Sequence, residues 1–178
     1  MTGDPHDLRT PSAWVARWAS LVPTGGRVLD VACGNGRHAR CFAARGHPVD
    51  AVDRDPDSVA RLADVPGVMP RCADIEAGPW PYEGQQFAGI VVANYLHRPL
   101  LPRLLAALAP GGVLIYETFA AGNERFGRPS NPDFLLRPGE LLETVRGRLK
   151  VIAYEELEVS EPRPAVVQRI CATKPAVS

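Results

Sequence analysis

Within the twelve residues Val28-Leu29-Asp30-Val31-Ala32-Cys33-Gly34-Asn35-Gly36-Arg37-His38-Ala39, a carboxylate, a doubled glycine turn and a helix start adjoin one another. Gly34 and Gly36 let the backbone turn sharply and approach a ligand with no Cβ in the way. The spacing Gly34-x-Gly36-x-x-Ala39 also fits the fingerprint that sets a pyrophosphate at a helix N-terminus. Asp30 argues for another ligand, because a carboxylate at the strand end repels a pyrophosphate and attracts an ammonium or sulfonium group. That polarity favours S-adenosylmethionine over NAD. About twenty residues on, Asp53 closes the run Val49-Asp50-Ala51-Val52, where α/β cofactor domains place the acid that accepts from both ribose hydroxyls. Asp74 closes a weaker run from Val68 and is suited to accept from an adenine amino group, with Ile75 packed beside the ring. A fourth run, Phe87 to Val92, leads into Asn94-Tyr95-Leu96-His97, so polar residues again stand at a strand's carboxyl end.

These residues need strands that deliver them to one edge and helices that cross back. The runs at 28–31, 49–53, 68–75 and 87–92, together with Val113 to Phe119, alternate with helical patterns at about 37–45, 56–63 and 99–108, the last closed by Pro110-Gly111-Gly112. That alternation predicts an α/β chain with a parallel sheet. Ser12 to Leu21 reads as a short amphipathic helix with Trp14 and Trp18 one turn apart, either packed on the sheet or closing over a ligand. After a helix near Pro138 to Val145, the runs 149–157 and 165–173 are joined by Ser160 to Pro164, a connection short enough to require an antiparallel pair. A plain dinucleotide domain does not end on such a hairpin.

Taken together, the glycine loop and the three spaced strand-end acids resemble the class I S-adenosylmethionine-dependent methyltransferases, over about Arg27 to Lys174. Within them, Cys33 to Arg37, Arg137-Pro138-Gly139-Glu140-Leu141 and Tyr154-Glu155-Glu156 are similar to the small tellurite-resistance methyltransferases. The resemblance implies one Rossmann-like methyltransferase domain over 1–178: a central, mostly parallel seven-stranded sheet, a C-terminal antiparallel hairpin, and residues 1–22 as a helical cap. It further implies that Asp30 and the backbone of Ala32 and Gly34 meet the methionine part of S-adenosylmethionine, Asp53 the ribose, and Asp74 with Ile75 the adenine. Arg37 then approaches the cofactor carboxylate, and Gly36 and Asn94 complete the cofactor set. Ala32 departs from the common D-x-G-x-G-x-G pattern, where a glycine stands, and narrows the space above the loop.

Methyl transfer asks mainly for alignment in a desolvated pocket, with a base only where the acceptor arrives protonated. His97 is the candidate base by its ordinary pKa near neutrality, with Tyr95 beside it and Tyr116 and Glu117 as rivals. The polar, glycine- and proline-rich stretch from Ala120 to Arg137 reads as a lid over the acceptor, with Arg125 and Arg128 holding an anionic group.

With 178 residues, 46% hydrophobic and 22% charged, the chain has ordinary single-domain composition. Its formal charge is zero and no basic stripe is evident, which disfavours nucleic acid. Cys33, Cys41, Cys72 and Cys171 form neither a C-x-x-C pair nor a metal-ligand pattern, so no metal or disulfide is expected. No apolar run is long enough for a signal or membrane segment, and a cytoplasmic enzyme, a monomer or weak homodimer, is expected. The leading function is methyl transfer to a small soluble acceptor, with a thiol and a chalcogen oxyanion as candidates. The alternatives are an RNA or protein methyltransferase, disfavoured because Asn94-Tyr95-Leu96-His97 stands where an Asn-Pro-Pro-Tyr motif would, and a non-catalytic S-adenosylmethionine-binding module.

Overall fold

The computed structural model describes residues 10–177, so residues 1–9 of the expected N-terminal cap lie outside the described residues. Seven strands form one sheet: β1 (Val28–Val31), β2 (Val49–Asp53), β3 (Val68–Cys72), β4 (Phe87–Ala93), β5 (Leu108–Phe119), β6 (Lys150–Val159) and β7 (Ala165–Thr173). Their order across the sheet is β3-β2-β1-β4-β5-β7-β6. The first five run parallel, while β7 pairs antiparallel with both β5 and β6. The mostly parallel sheet and its antiparallel C-terminal pair are therefore as the sequence predicts.

Apolar residues on both sides of β1, β2 and β4 follow from burial of both faces, the normal condition of parallel strands. On one face Leu29, Val31, Val52, Ile90 and Val92 pack with Leu104 and Leu105 of α4 (Leu101–Ala107) and Leu141 of α5 (Glu140–Val145). On the other, Val28, Val49, Ala51 and Val91 meet Phe42 of α2 (Arg37–Ala44) and Trp14 of α1 (Ala13–Trp18). Trp14 is 3% exposed and its indole N–H donates to the Ile170 carbonyl at 3.3 Å, which makes it a packing residue under the sheet. The Ser12 hydroxyl caps α1 by accepting from the Val15 N–H.

Several boundaries differ from those read off the sequence. The helix expected over 56–63 is only α3 (Pro56–Ala60). Beyond it the bonds shift to three-residue turns, Leu62 N–H to Val59 O and Val65 N–H to Leu62 O, before Pro66 and the left-handed Gly67. Pro110-Gly111-Gly112 does not close a helix but lies inside β5, which begins at Leu108 directly after α4 and pairs with Phe87. Gly112 fits that close passage because a Cβ there would stand 2.7 Å from the Ala109 carbonyl and 3.0 Å from that of Phe87. β3 stops at Cys72, so Asp74 lies beyond its strand.

Candidate functional site

The strand order reverses direction at β1, with β2 on one side and β4 on the other, and in such sheets ligands bind outside the carboxyl ends at that switch point. A cavity of about 490 Å³ lies there. Its walls come from residues just after five parallel strands: Ala32 after β1, Asp53 and Arg54 at β2, Ala73 to Glu76 after β3, Asn94 to Leu96 after β4, and Thr118 and Phe119 at the end of β5. Pro129 and Phe134 close it from the segment after β5.

The loop under the cavity is held by backbone bonds to the acids. Asp53 Oδ2 accepts from the Gly34 N–H at 2.8 Å and Oδ1 from the Asp55 N–H at 2.9 Å. Gly36 has φ 77°, and a Cβ there would stand 2.3 Å from a Leu62 methyl. Ala32 (φ 51°) and Asn94 (φ 55°) are left-handed residues other than glycine, and both line the cavity. Such strain concentrates where backbone must be aimed at a ligand. Asp74 Oδ1 accepts from the N–H groups of Glu76 and Ala77, both at 3.0 Å, and these bonds lower its pKa. Among the described residues no hydrogen bond reaches Asp74 Oδ2, which leaves that oxygen to an outside donor.

Asp30 is placed differently. It is 1% exposed, lies outside the cavity lining and accepts from the Ala39 N–H at 2.9 Å, so it ties the first turn of α2 to β1. Burial lifts its pKa to about 7 against that hydrogen bond and the charge of Arg37. Gly34, Gly36 and Arg37 also stand behind the lining rather than in it. Cys33 is buried beneath the turn, and burial pushes its thiol pKa up.

On the β4 side, the Tyr95 hydroxyl donates to Glu76 Oε1 at 3.0 Å, and His97 Nδ1 lies 3.9 Å from Glu76 Oε2. Burial and the bond to Glu76 push the Tyr95 pKa up, so this phenol is a donor and not a base. Tyr116 is buried and donates to the Tyr95 carbonyl, while Glu117 is paired with Arg169, which removes both from the set of candidate bases. His97 is not in the lining itself, but Glu76, which it approaches, is.

The expected arginine clamp is not formed. Arg125 donates to Glu158 and to the Gly122 carbonyl and lies over Phe126; Arg128 is exposed, and its carbonyl accepts from Arg163. Neither lines the cavity, because the segment turns its proline and phenylalanine inward. Phe119 was legible as the last residue of an apolar run, and Arg54 and Glu76 as neighbours of expected ligands. Pro129 and Phe134 carried no signal beyond membership of a long loop.

Residues 28–112 match the model of the methyltransferase domain family. Over those residues, a little under half of the chain, it is similar to the S-adenosylmethionine-dependent methyltransferases, whose fold it shares. It is 35% identical over 119 residues to a trans-aconitate 2-methyltransferase of Variovorax paradoxus (strain S110), covering 61% of this chain and 44% of that protein. It thus spans less than half the length of the curated relatives it matches. Among solved structures it is similar to TehB from Haemophilus influenzae, with TM-score 0.76 and 19% identity over 92% of this chain and 62% of that one. A TehB-like SAM-dependent methyltransferase from Corynebacterium glutamicum gives TM-score 0.64 and 23% identity, covering 88% of this chain and 84% of that one. The cavity fits the family cofactor: carboxylates at the ends of β2 and β3 face it, one with an oxygen to spare, and the loop after β1 bears no side chain larger than alanine in the lining. Among the described residues no helix is long and apolar enough to cross a membrane.

Proposed function

We propose that this protein transfers a methyl group from S-adenosylmethionine to a small-molecule acceptor. The observation that carries the reading is the single cavity at the switch point, which joins the strand-end acids Asp53 and Asp74 to a second, mostly apolar wall of Leu96, Phe119, Pro129 and Phe134. Asp53 receives the ribose hydroxyls, Asp74 the adenine amino group, and Ile75 the ring face; the backbone at Ala32 and Asn94 approaches the methionine part. Asp30 and Arg37 act from behind the loop, the first by fixing α2 through Ala39 and the second through its charge. S-adenosylmethionine supplies an electrophilic methyl group on a sulfonium sulfur, a leaving group already made. The chain's own contribution is to orient the acceptor, exclude water with the segment after β5, and take up a proton at His97 through Glu76 when the acceptor carries one.

The concave cavity and the neutral overall charge favour a small acceptor over RNA or a protein chain. Catalysis rather than storage is supported by the second half of the cavity, which a bare binding module would not require.

Calorimetry tests the assignment. S-adenosylhomocysteine should bind and NAD should not, and Asp53→Ala should weaken S-adenosylhomocysteine by at least about tenfold, because charge-assisted hydrogen bonds contribute roughly 1.5 to 3 kcal/mol each. Tighter binding of NAD, or an unchanged dissociation constant in the variant, would defeat the reading.

A further inference from the structure

The acceptor half of the cavity has a charge that the family assignment does not explain. Beyond Asp53 and Asp74, which the cofactor takes, Glu76 is the further carboxylate in the lining, and among the described lining residues Arg54 is the one cation. Among the described residues, four arginines near the far wall have their guanidinium groups engaged elsewhere, while Arg128 is exposed and lies outside the lining. Arg98 is bound to Glu140 and the carbonyls of Asp133 and Leu135, Arg125 to Glu158, and Arg169 to Glu117 and Glu155. Arg163 lies over the Phe119 ring and donates to the Arg128 carbonyl. An anionic acceptor would meet Glu76 and apolar surface at that wall, with Arg54, at the end of β2 beside the cofactor acids, as the lining cation. Phe134, 53% exposed, and Phe119 line the same cavity as that carboxylate, and aromatic rings with a carboxylate are a combination that selects cations with apolar bodies.

We propose that the acceptor is an amine on an apolar, aryl-alkyl body, and that Glu76 receives its ammonium group while Phe119, Pro129 and Phe134 take the body. The proposal rests on the methyltransferase reading and names its substrate class. The Tyr95 hydroxyl fixes Glu76 Oε1, leaving Oε2 to serve both the ammonium and the His97 ring. In the step, the ammonium first gives one proton to His97 by way of Glu76, and from there to solvent. The neutral nitrogen then donates its lone pair to the methyl carbon as the carbon–sulfur bond breaks. The bonding pair stays on sulfur, which becomes a neutral thioether, and the positive charge passes to the N-methylated ammonium product.

The test uses binding to the protein saturated with S-adenosylhomocysteine, so it does not depend on turnover. Three probes of similar shape differ in charge: 2-phenylethylamine, 2-phenylethanol and 3-phenylpropionate. The amine should bind at least about tenfold more tightly than the alcohol, with the carboxylate weakest. Glu76→Gln should reduce the preference for amine over alcohol to about twofold or less while S-adenosylhomocysteine binds as before. Phe134→Ala should weaken amine and alcohol alike. Tightest binding by the carboxylate, an amine preference that survives Glu76→Gln, or failure of all three probes to bind would each overturn the proposal. Failure of S-adenosylhomocysteine itself to bind would instead remove the reading on which it rests, and the two failures are told apart in the first titration.

Discussion

Asp30 and His38 are both buried and titrate in opposite directions. His38 Nε2 accepts from the Ser12 N–H at 3.1 Å, and burial, with help from Arg37, holds its pKa down to about 3. A histidine lowered from its usual value of about 6.5 contributes stability that is present above that value and lost as pH falls toward 3. Asp30, raised to about 7, does the reverse: its stability is present below the ordinary carboxylate value and lost as pH rises to 7. Between about pH 4 and 6.5 the two slopes oppose, so the wild-type protein should lose little stability on acidification from these groups. Asp30→Asn, which keeps an oxygen for the Ala39 N–H, should leave His38 uncompensated and make stability fall through that window by an amount on the order of a few kcal/mol. Urea unfolding at several pH values reads this directly, and a variant as flat as the wild type would refute it. The position of Asp53 at the end of β2 was legible because an apolar run announces where a strand stops, whereas the weaker run before Asp74 overran β3 by two residues. The partner of Asp30 was not legible, since alternation along β1 tells which face a side chain takes but not which N–H will be waiting nine residues later.

The segment after β5 shows the same division at the level of elements. Its length and polarity marked it as a loop, yet what holds it lies far away in sequence. Arg98, just beyond β4, donates to both oxygens of Glu140 at 2.7 and 3.0 Å and to the carbonyls of Asp133 and Leu135 at 2.9 and 2.8 Å. Those carbonyls flank Phe134, so the clip sets the ring that closes the cavity. Burial would raise the Glu140 pKa, but the hydrogen bonds from Arg98 and Arg137 prevail and hold it at about 2. The stability this carboxylate contributes is therefore present above the ordinary glutamate value and lost as pH falls toward 2. Arg98→Ala should cost roughly 1 to 3 kcal/mol, since it strips the charge partner from a nearly buried carboxylate that keeps only Arg137. Hydrogen exchange over residues 131–139 should quicken, and the Michaelis constant for the acceptor should rise severalfold at unchanged cofactor affinity. Unaltered exchange in that segment would mean the clip does not hold it. Helix ends were equally hidden: α3 stops early because Pro66 and Gly67 draw the chain into turns, a local effect that the apolar pattern overran.

At the scale of the whole molecule the seven strands could be counted from the sequence, but the place of each in the sheet could not, because pairing is decided by contacts between distant segments. The arrangement has β7 between β5 and β6, and the Trp14 indole of α1 bonded to the Ile170 carbonyl of β7. A chain ending at Pro164 should consequently fail to reach the native state, with an open β5 edge and an unsupported α1, as circular dichroism and size-exclusion chromatography would show; a monomeric, cooperatively unfolding fragment would contradict this. The arrangement also bears on how the molecule is made. As the polypeptide leaves the ribosome, the Trp14 indole emerges long before the Ile170 carbonyl it bonds, and β6 emerges before the neighbour that joins it to the sheet. The growing chain therefore carries an unpaired edge on β5 until β7 arrives, and that interval is when it most needs the protection of chaperones.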